Sequence, residues 1–409
     1  MTQGEAAAIM AHPSLLTGVR IIELGHVVAA PFTTSLCADF GAEVIKIEDP
    51  SQGDGLRKQG PEKDGHKLWW KVAGRNKKCI TLNLKDPRGL ALCRRLLEGA
   101  DALVENYRPG VLDRLGLGYA ALRELNPRLI IVSISGYGQT GPYAPRPGYG
   151  KVAEAMSGIV HLTGDPDGPP RPPGVSLADT TSGLMGAFAL AMALYQRDVR
   201  GTPPATVDLG LHETLARMLD WQIIVHDQLG TIPLRNGGKM PIDGGMLNNT
   251  YKTADDKWLV MSASAAMMRK MIPAMGIAEL GSDPRFLTDD DASRNVAAFD
   301  VIVAGWMALR TRDEAMRTMT AAGATCGAVY DVRDIVADPQ YLARGTVTTV
   351  KDGDLGAVRM VGVVPSVPDA PGSIRWTGPK LGAHNAEVLG AILGLSDQEI
   401  QALRAEKVI

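Results

Sequence analysis

The chain has 409 residues, 45% hydrophobic and 22% charged, the composition of a globular protein with room for a large core and two or more domains. Its net charge of −2 argues against nucleic acid or an anionic membrane as the main partner. The four cysteines, Cys37, Cys79, Cys93 and Cys326, show no metal-ligand spacing, so no metal site is expected. They read as reduced packing residues of a cytoplasmic protein, with a nucleophilic thiol as the alternative.

Met1 to Leu16 lacks a basic segment followed by a long apolar one, so no signal peptide is expected. Gly18 to Gly25 reads as a buried strand. A helix follows from Ala30 to Phe40, with Pro31 in its first turn. Gly41 to Glu48 and Asn76 to Leu84 read as further strands. Pro87 to Leu97 is a helix with an Asp-Pro start. Ala102 to Asn106 is a strand, Tyr119 to Leu125 a helix, and Leu129 to Ile134 another strand. Strands alternating with helices predict an α/β, Rossmann-like large domain with a parallel sheet. Ligands of such sheets bind beyond the carboxyl ends of the strands.

Val175-Ser-Leu-Ala-Asp-Thr-Thr-Ser182 comes next and runs into an apolar helix. Its apolar run, Leu184 to Tyr195, is about 12 residues, short of the about 20 that a bilayer needs, so no membrane partner is expected. Thr180, Thr181 and Ser182 suit a helix start. Asp179 there would face backbone N–H groups and the positive end of the helix dipole, which would keep it ionised. It reads either as an N-cap or as a carboxylate nucleophile toward an acyl group.

Thr206 to Gly210 is a strand and Leu211 to Gln228 a helix. Near Ile232 the texture changes. Gly237, Gly238, Gly244 and Gly245 mark a glycine-rich stretch, Thr250 to Ala263 a hairpin, and Met267 to Met275 and Ala292 to Arg310 helices. The expected domains are a large one over 1–210 and 345–409 and a smaller α+β one over 235–333. Residues 211–234 and 334–344 are expected to link them. The tail carries a capping box at Ser396–Glu399.

The chain resembles the class III CoA-transferases, the formyl-CoA transferase and carnitine CoA-transferase group that also includes α-methylacyl-CoA racemase. The likeness rests on Leu16 to Leu24, Ala29-Ala-Pro31, Asp39 to Glu48, Asn76-Lys-Lys78, Val104 to Gly110, Asp113 to Gly116, Asn126-Pro127, Ser133 to Gly138, Leu177-Ala-Asp179 and Pro379 to His384. No single motif is specific; together they are. The resemblance implies a CoA-binding large domain and a dimer of interlocked rings. It implies acyl-CoA and carboxylic acid substrates, with no tightly bound cofactor. Succinyl-CoA is one candidate donor.

In the family, the aspartate matching Asp179 attacks the acyl-CoA carbonyl to give an anhydride and then an aspartyl-CoA thioester. Both intermediates are activated acyl groups, so exchange needs no ATP, but water must be excluded. A flap containing Gly244 and Gly245 would do this; a flexible surface loop is the alternative. By position, His26, Val27, Ala29 and Leu82 should line the CoA path. Asn106, Tyr107 and Arg114 should lie near CoA, with Tyr137 beside the thioester. Lys77, Lys78 and Arg108 are candidates for the CoA phosphates, against the reading that they are solvated charges. His26 reads first as loop structure.

Three departures from the family pattern matter. Val28 stands where formyl-CoA transferases have a glutamine, which implies a larger or less polar acyl group. Asp49 stands where they have an arginine, so the adenine end must be held differently. Tyr149-Gly150 replaces the His-Asp pair of the racemases, and tyrosine is a poor base at neutral pH, which favours transfer over racemisation. Strand, helix and acidic Glu48 also mimic a dinucleotide-binding unit. The loop Leu24 to Pro31 has one glycine where that fingerprint needs three. An inactive partner chain of a two-chain transferase is the non-enzyme alternative.

Overall fold

The computed structural model describes residues 13–238 and 245–409. It forms two compact units. One comprises residues up to 160, 172–232 and 339–409; the other comprises 161–171 and 233–338.

The first unit is built on a six-stranded parallel sheet. Its strands are β1 (Arg20–Leu24), β2 (Glu43–Glu48), β3 (Lys77–Thr81), β4 (Ala102–Glu105), β5 (Ile130–Ser135) and β6 (Thr206–Gly210). The spatial order is β3-β2-β1-β4-β5-β6. Apart from the edge strand β6, the strands are buried on both faces, as a sheet covered by crossover helices requires. Ile22, Ile45 and Leu103 pack on one side, and Ile21, Val44 and Val104 on the other. The chain winds outward in both directions from β1 and β4. Their carboxyl ends therefore open a crevice at the switch point.

Five helices matter for the site: α1 (Ala29–Asp39), α2 (Pro87–Glu98), α3 (Gly150–Met156), α4 (Leu177–Val199) and α5 (Leu211–Met218). The Asp86 side chain caps α2 and Pro87 opens it. Along α4 the packing against α1 is very close. A Cβ at Gly183 would lie 2.8 Å from the Ala29 carbonyl oxygen. Thr33 Oγ1 donates to the Gly183 carbonyl at 3.0 Å. Glycine at 183 thus lets the start of α4 lie directly on the start of α1.

The second unit is an antiparallel sheet with Trp258–Ala263 between Leu247–Lys252 and Thr325–Ala328. Leu259, Met261 and Tyr251 point into a core shared with Phe299, Val303 and Trp306.

Several expectations are corrected. Residues 211–229, expected as one helix from Leu211 to Gln228 within the linking segment, are two helices, Leu211–Met218 and Gln222–Leu229, grouped with the first unit. Residues 161–171 and 334–338 group with the second unit. The helix expected over 292–310 is Asp289–Arg294 followed by Val296–Ala308. Gly244 and most of the proposed flap lie outside the described residues. Gly245 has φ +61°, and a Cβ there would meet Ser293 Oγ at 2.0 Å. The apolar run of about 12 residues belongs to a 23-residue helix. By length and composition α4 is long enough to cross a membrane. Its outward side exposes Leu184, Phe188, Met192, Tyr195 and Val199.

Under β1 lies a buried charge network. Lys46 Nζ meets Glu23 Oε1 at 2.6 Å and Asp54 Oδ2 at 2.8 Å, with all three side chains at most 1% exposed. Lys77 Nζ meets Glu23 Oε2 at 2.9 Å. Lys46 also donates to the Gly25 carbonyl and Lys77 to the Pro31 carbonyl. Asp54 accepts from the amide of Val27, a residue held at φ +64°. Burial alone would push these carboxyls up. The Lys46 ammonium overcomes it, joined at Glu23 by Lys77, and holds Glu23 below its ordinary range and Asp54 at about 2. Both ends and the middle of the 25–31 loop are thereby pinned.

Lys46→Met leaves buried Asp54 without its cation and Glu23 with Lys77 alone. It should lower the unfolding free energy by about 3–5 kcal/mol, read by chemical denaturation. A loss below about 1 kcal/mol would show that the network is not what secures the loop.

Candidate active site

The loop after β1 divides two cavities of the first unit. The first has a volume of about 490 Å³. It opens beyond the carboxyl ends of β1, β2, β3 and β4 and brings together His26, Leu82, Tyr107 and Arg114, all expected from the sequence. Ile47, Val111 and Leu115 add apolar surface. Lys85, Asn83 and Gln52 add polar groups that the sequence reading missed. The missed residues have a recognisable signal: Asn83 and Lys85 closely follow the carboxyl end of strand β3. Lys85 and Arg114 bring two exposed cations to one apolar cleft.

Asn106 has a different place from the one expected. Its Oδ1 accepts the His26 amide at 2.7 Å and its Nδ2 donates to the His26 carbonyl at 2.9 Å. It therefore clamps the loop after β1 rather than lining the cleft. His26 Nε2 lies 3.3 Å from the Tyr107 hydroxyl. Burial, aided by the Lys46 charge, holds His26 below its ordinary pKa, so the ring is neutral at pH 7.

Other expected residues are placed elsewhere. Lys77 is wholly buried and tied to Glu23 and Pro31, so it cannot meet a phosphate. Lys78 is paired with Glu43 and Glu387 and does not line the cleft. Arg108 lines a separate small cavity with Glu105, Asp113 and Gln139. Ala29 is buried at the start of α1, where its carbonyl accepts the Thr33 hydroxyl. Tyr137 packs edge-on against Tyr143 and near His212. Asp49 does reach the cleft, but its Oδ1 accepts from Ser51 and Gln52. Burial pushes the thiols of Cys37 and Cys93 up to about 12 and raises that of Cys79 as well, which removes these three as thiolate nucleophiles.

The second cavity, about 630 Å³, lies on the other side of the loop. Val27, Val28, Pro31, Phe32, Leu36, Leu56 and Trp69 make it apolar, and Lys151, Ser176 and Thr180 lie on its edge. Val28, singled out in the sequence, thus faces an apolar space.

Asp179 sits between Ser176 and Thr180 on the first turn of α4. The helix begins two residues before it, with Ser176 as N-cap and no side-chain cap bond from that residue. Asp179 is therefore not an N-cap. Among the described residues no donor reaches its oxygens. The helix start is satisfied instead by Glu154 of α3, whose Oε1 accepts the Leu177 amide at 3.0 Å. Thr180 and Thr181 turn their hydroxyls back onto carbonyls of their own helix. The helix start does not supply the N–H donors expected to favour the charged form of Asp179. Burial, together with the Glu154 charge and opposed by Lys151, pushes its pKa up to about 6. Its carboxylate lies against Gly150, where a Cβ would be 2.3 Å from Oδ2.

The profile of the CoA-transferase family III matches residues 16–385. The chain belongs to that family. It is 40% identical over 399 residues to the succinyl-CoA–D-citramalate CoA-transferase of Chloroflexus aurantiacus, covering 97% of this chain and 98% of the relative. It is 38% identical over 400 residues to the succinyl-CoA–L-malate CoA-transferase beta subunit of the same organism, at 96% and 98% coverage. A solved CAIB/BAIF family protein from Brucella suis superposes with a TM-score of 0.84 at 31% identity, over 93% of this chain and 100% of that one. The chain is accordingly a class III CoA-transferase acting on CoA thioesters, and the dinucleotide-binding alternative is set aside.

Gly150→Ala puts a methyl group where Asp179 Oδ2 now lies. Only the end of a side chain must move, so the unfolding free energy should change by no more than about 1 kcal/mol. With Asp179 as the expected nucleophile, CoA transfer should fall at least about tenfold, because misplacing it loses its near-attack geometry. A normal rate in the folded variant would mean that Gly150 does not place Asp179.

Proposed function

We propose that this CoA-transferase moves CoA from succinyl-CoA to a dicarboxylic acid through covalent intermediates on Asp179. The observation that carries the reading is a half-buried carboxylate with no protein donor on its oxygens among the described residues. Partial desolvation and the Glu154 charge raise its pKa, which makes it a better nucleophile than a fully solvated aspartate. Asp179 attacks the thioester carbonyl and expels CoA thiolate, forming a mixed anhydride. The thiolate attacks the aspartyl carbonyl, forming aspartyl-CoA and releasing the donor acid. The acceptor carboxylate attacks aspartyl-CoA and expels thiolate again. Thiolate then attacks the acceptor acyl carbon, giving the new acyl-CoA and freeing Asp179. Atoms balance, and no oxidant or ATP is consumed.

In this reading the 490 Å³ cleft takes the CoA body, with Lys85 and Arg114 on its phosphates. The apolar cavity behind Val27 and Val28 takes acyl carbon, and Lys151 brings an ammonium to its edge. The two relatives named above support succinyl-CoA as donor and a four- or five-carbon dicarboxylic acid as acceptor. Racemisation is disfavoured, since Tyr149 is exposed and Gly150 has no side chain to serve as acid or base.

The test is CoA exchange between succinyl-CoA and a panel of carboxylic acids, read by mass, with an α-methylacyl-CoA incubated separately in deuterated water. Transfer without α-deuterium is expected; rapid deuterium uptake would place the chain on the racemase branch. Asp179→Ala should lower kcat by at least about a hundredfold, and hydroxylamine during turnover should mark Asp179 as a hydroxamate. Lys85→Ala with Arg114→Ala should instead raise the KM for acyl-CoA and spare kcat.

We further propose that the chain works as a dimer of interlocked rings. The exposed apolar side of α4 supports association. Light scattering should give about twice 43.5 kDa, unchanged on dilution. An active monomer would overturn this, and activity that appears only with a related second chain would replace the homodimer by a heteromer.

A further inference from the structure

Glu154 lines neither cavity and touches no proposed substrate, yet it is wholly buried beside Asp179. Its two oxygens have separate tasks. Oε1 accepts the Leu177 amide at 3.0 Å, which also donates to the Val175 carbonyl, and faces the Ala178 amide at 3.5 Å, both at the start of α4. Oε2 accepts Lys151 Nζ at 2.9 Å. The same ammonium donates to the carbonyls of Pro173 and Val175, just before the helix. Helix α3 thus fixes the entry to α4 through one carboxylate and one amine. Asp179 follows the capped residues directly and rests on Gly150, the first residue of α3.

We propose that Glu154 is a positioning residue for Asp179: it caps the helix that carries the nucleophile and, as a buried like charge, disfavours its free carboxylate relative to its acylated forms. The proposal rests on the covalent role given to Asp179 above. Each acylation of Asp179 removes a negative charge. A fixed carboxylate next to it therefore favours anhydride and aspartyl-CoA over the resting ion. Lys151 offsets this only in part, because its side chain is 54% exposed and that of Glu154 is 0% exposed. Charges on the other elements packed against α4 are engaged elsewhere. Asp39 of α1 is paired with Arg75, Glu213 of α5 accepts the Gly210 amide, and Asp208 of β6 accepts from Gln139. His212 of α5 packs near Tyr137.

The test separates charge from capping. Glu154→Gln keeps an oxygen for the Leu177 amide and removes the charge. Glu154→Ala removes both. With 13C-aspartate labelling, the Asp179 carboxyl is assigned by its loss in Asp179→Asn and titrated without substrate. The wild-type midpoint is expected near 6. In Glu154→Gln it should fall by at least about one unit, toward the ordinary aspartate range. Lys151→Met should move it up. In turnover, Glu154→Gln should trap at least about threefold less aspartyl hydroxamate, with lower kcat, an acid limb shifted to lower pH and little change in KM. An unmoved Asp179 titration in folded Glu154→Gln overturns the proposal, whatever the exchange assay gives. Failure of the covalent reading is distinct: it appears as absent hydroxamate in the wild type.

Discussion

The site depends on one buried constraint, the ion network of Glu23, Lys46, Asp54 and Lys77. Removing four charges from water is costly, and the cost is offset only because each carboxylate oxygen meets an ammonium or an amide. The return lies in the backbone it holds. Lys46 takes the carbonyl of Gly25, Asp54 the amide of Val27 and Lys77 the carbonyl of Pro31. With Asn106 gripping both polar groups of His26, the loop after β1 has little freedom left. That loop forms a wall of the proposed CoA cleft with His26 and of the apolar cavity with Val27 and Val28. A hydrophobic core of equal volume would stabilise the sheet but would not fix the directions of those carbonyls and amides.

The proposed nucleophile, Asp179, is organised on the opposite principle. Asp179 stands at a helix start, yet the N–H groups there are given to Glu154. What remains for Asp179 is burial, a like charge and the bare Cα of Gly150. Each of these raises the energy of the free carboxylate. The surrounding fold supports that strain through the Gly183 contact, which seats α4 on α1 close behind the pinned loop.

The apolar side of α4 has a second consequence. A helix of this composition exposing Leu184, Phe188, Met192 and Tyr195 is costly in water. The same helix carries Asp179 at its amino end. In the proposed dimer, covering its outward side and ordering the proposed nucleophile would fall to one element.

The sequence determined the alternation of strands and helices, the start of α2 and the capping box at Ser396, because these are local patterns of burial and hydrogen bonding. It also singled out Asp179, His26, Leu82, Tyr107 and Arg114, through strand ends and motif likeness. It could not tell a solvated lysine from a buried one. Lys77 and Lys78 are neighbours in the chain, but alternation along β3 sends one to Glu23 in the core and the other to Glu43 and Glu387 at the edge. Nor could it show that Asp179 lacks a donor. That depends on Glu154, 25 residues earlier in the chain, reaching the helix start first. Tertiary structure decided both, because a charge is set by what is packed around it and not by its neighbours in sequence.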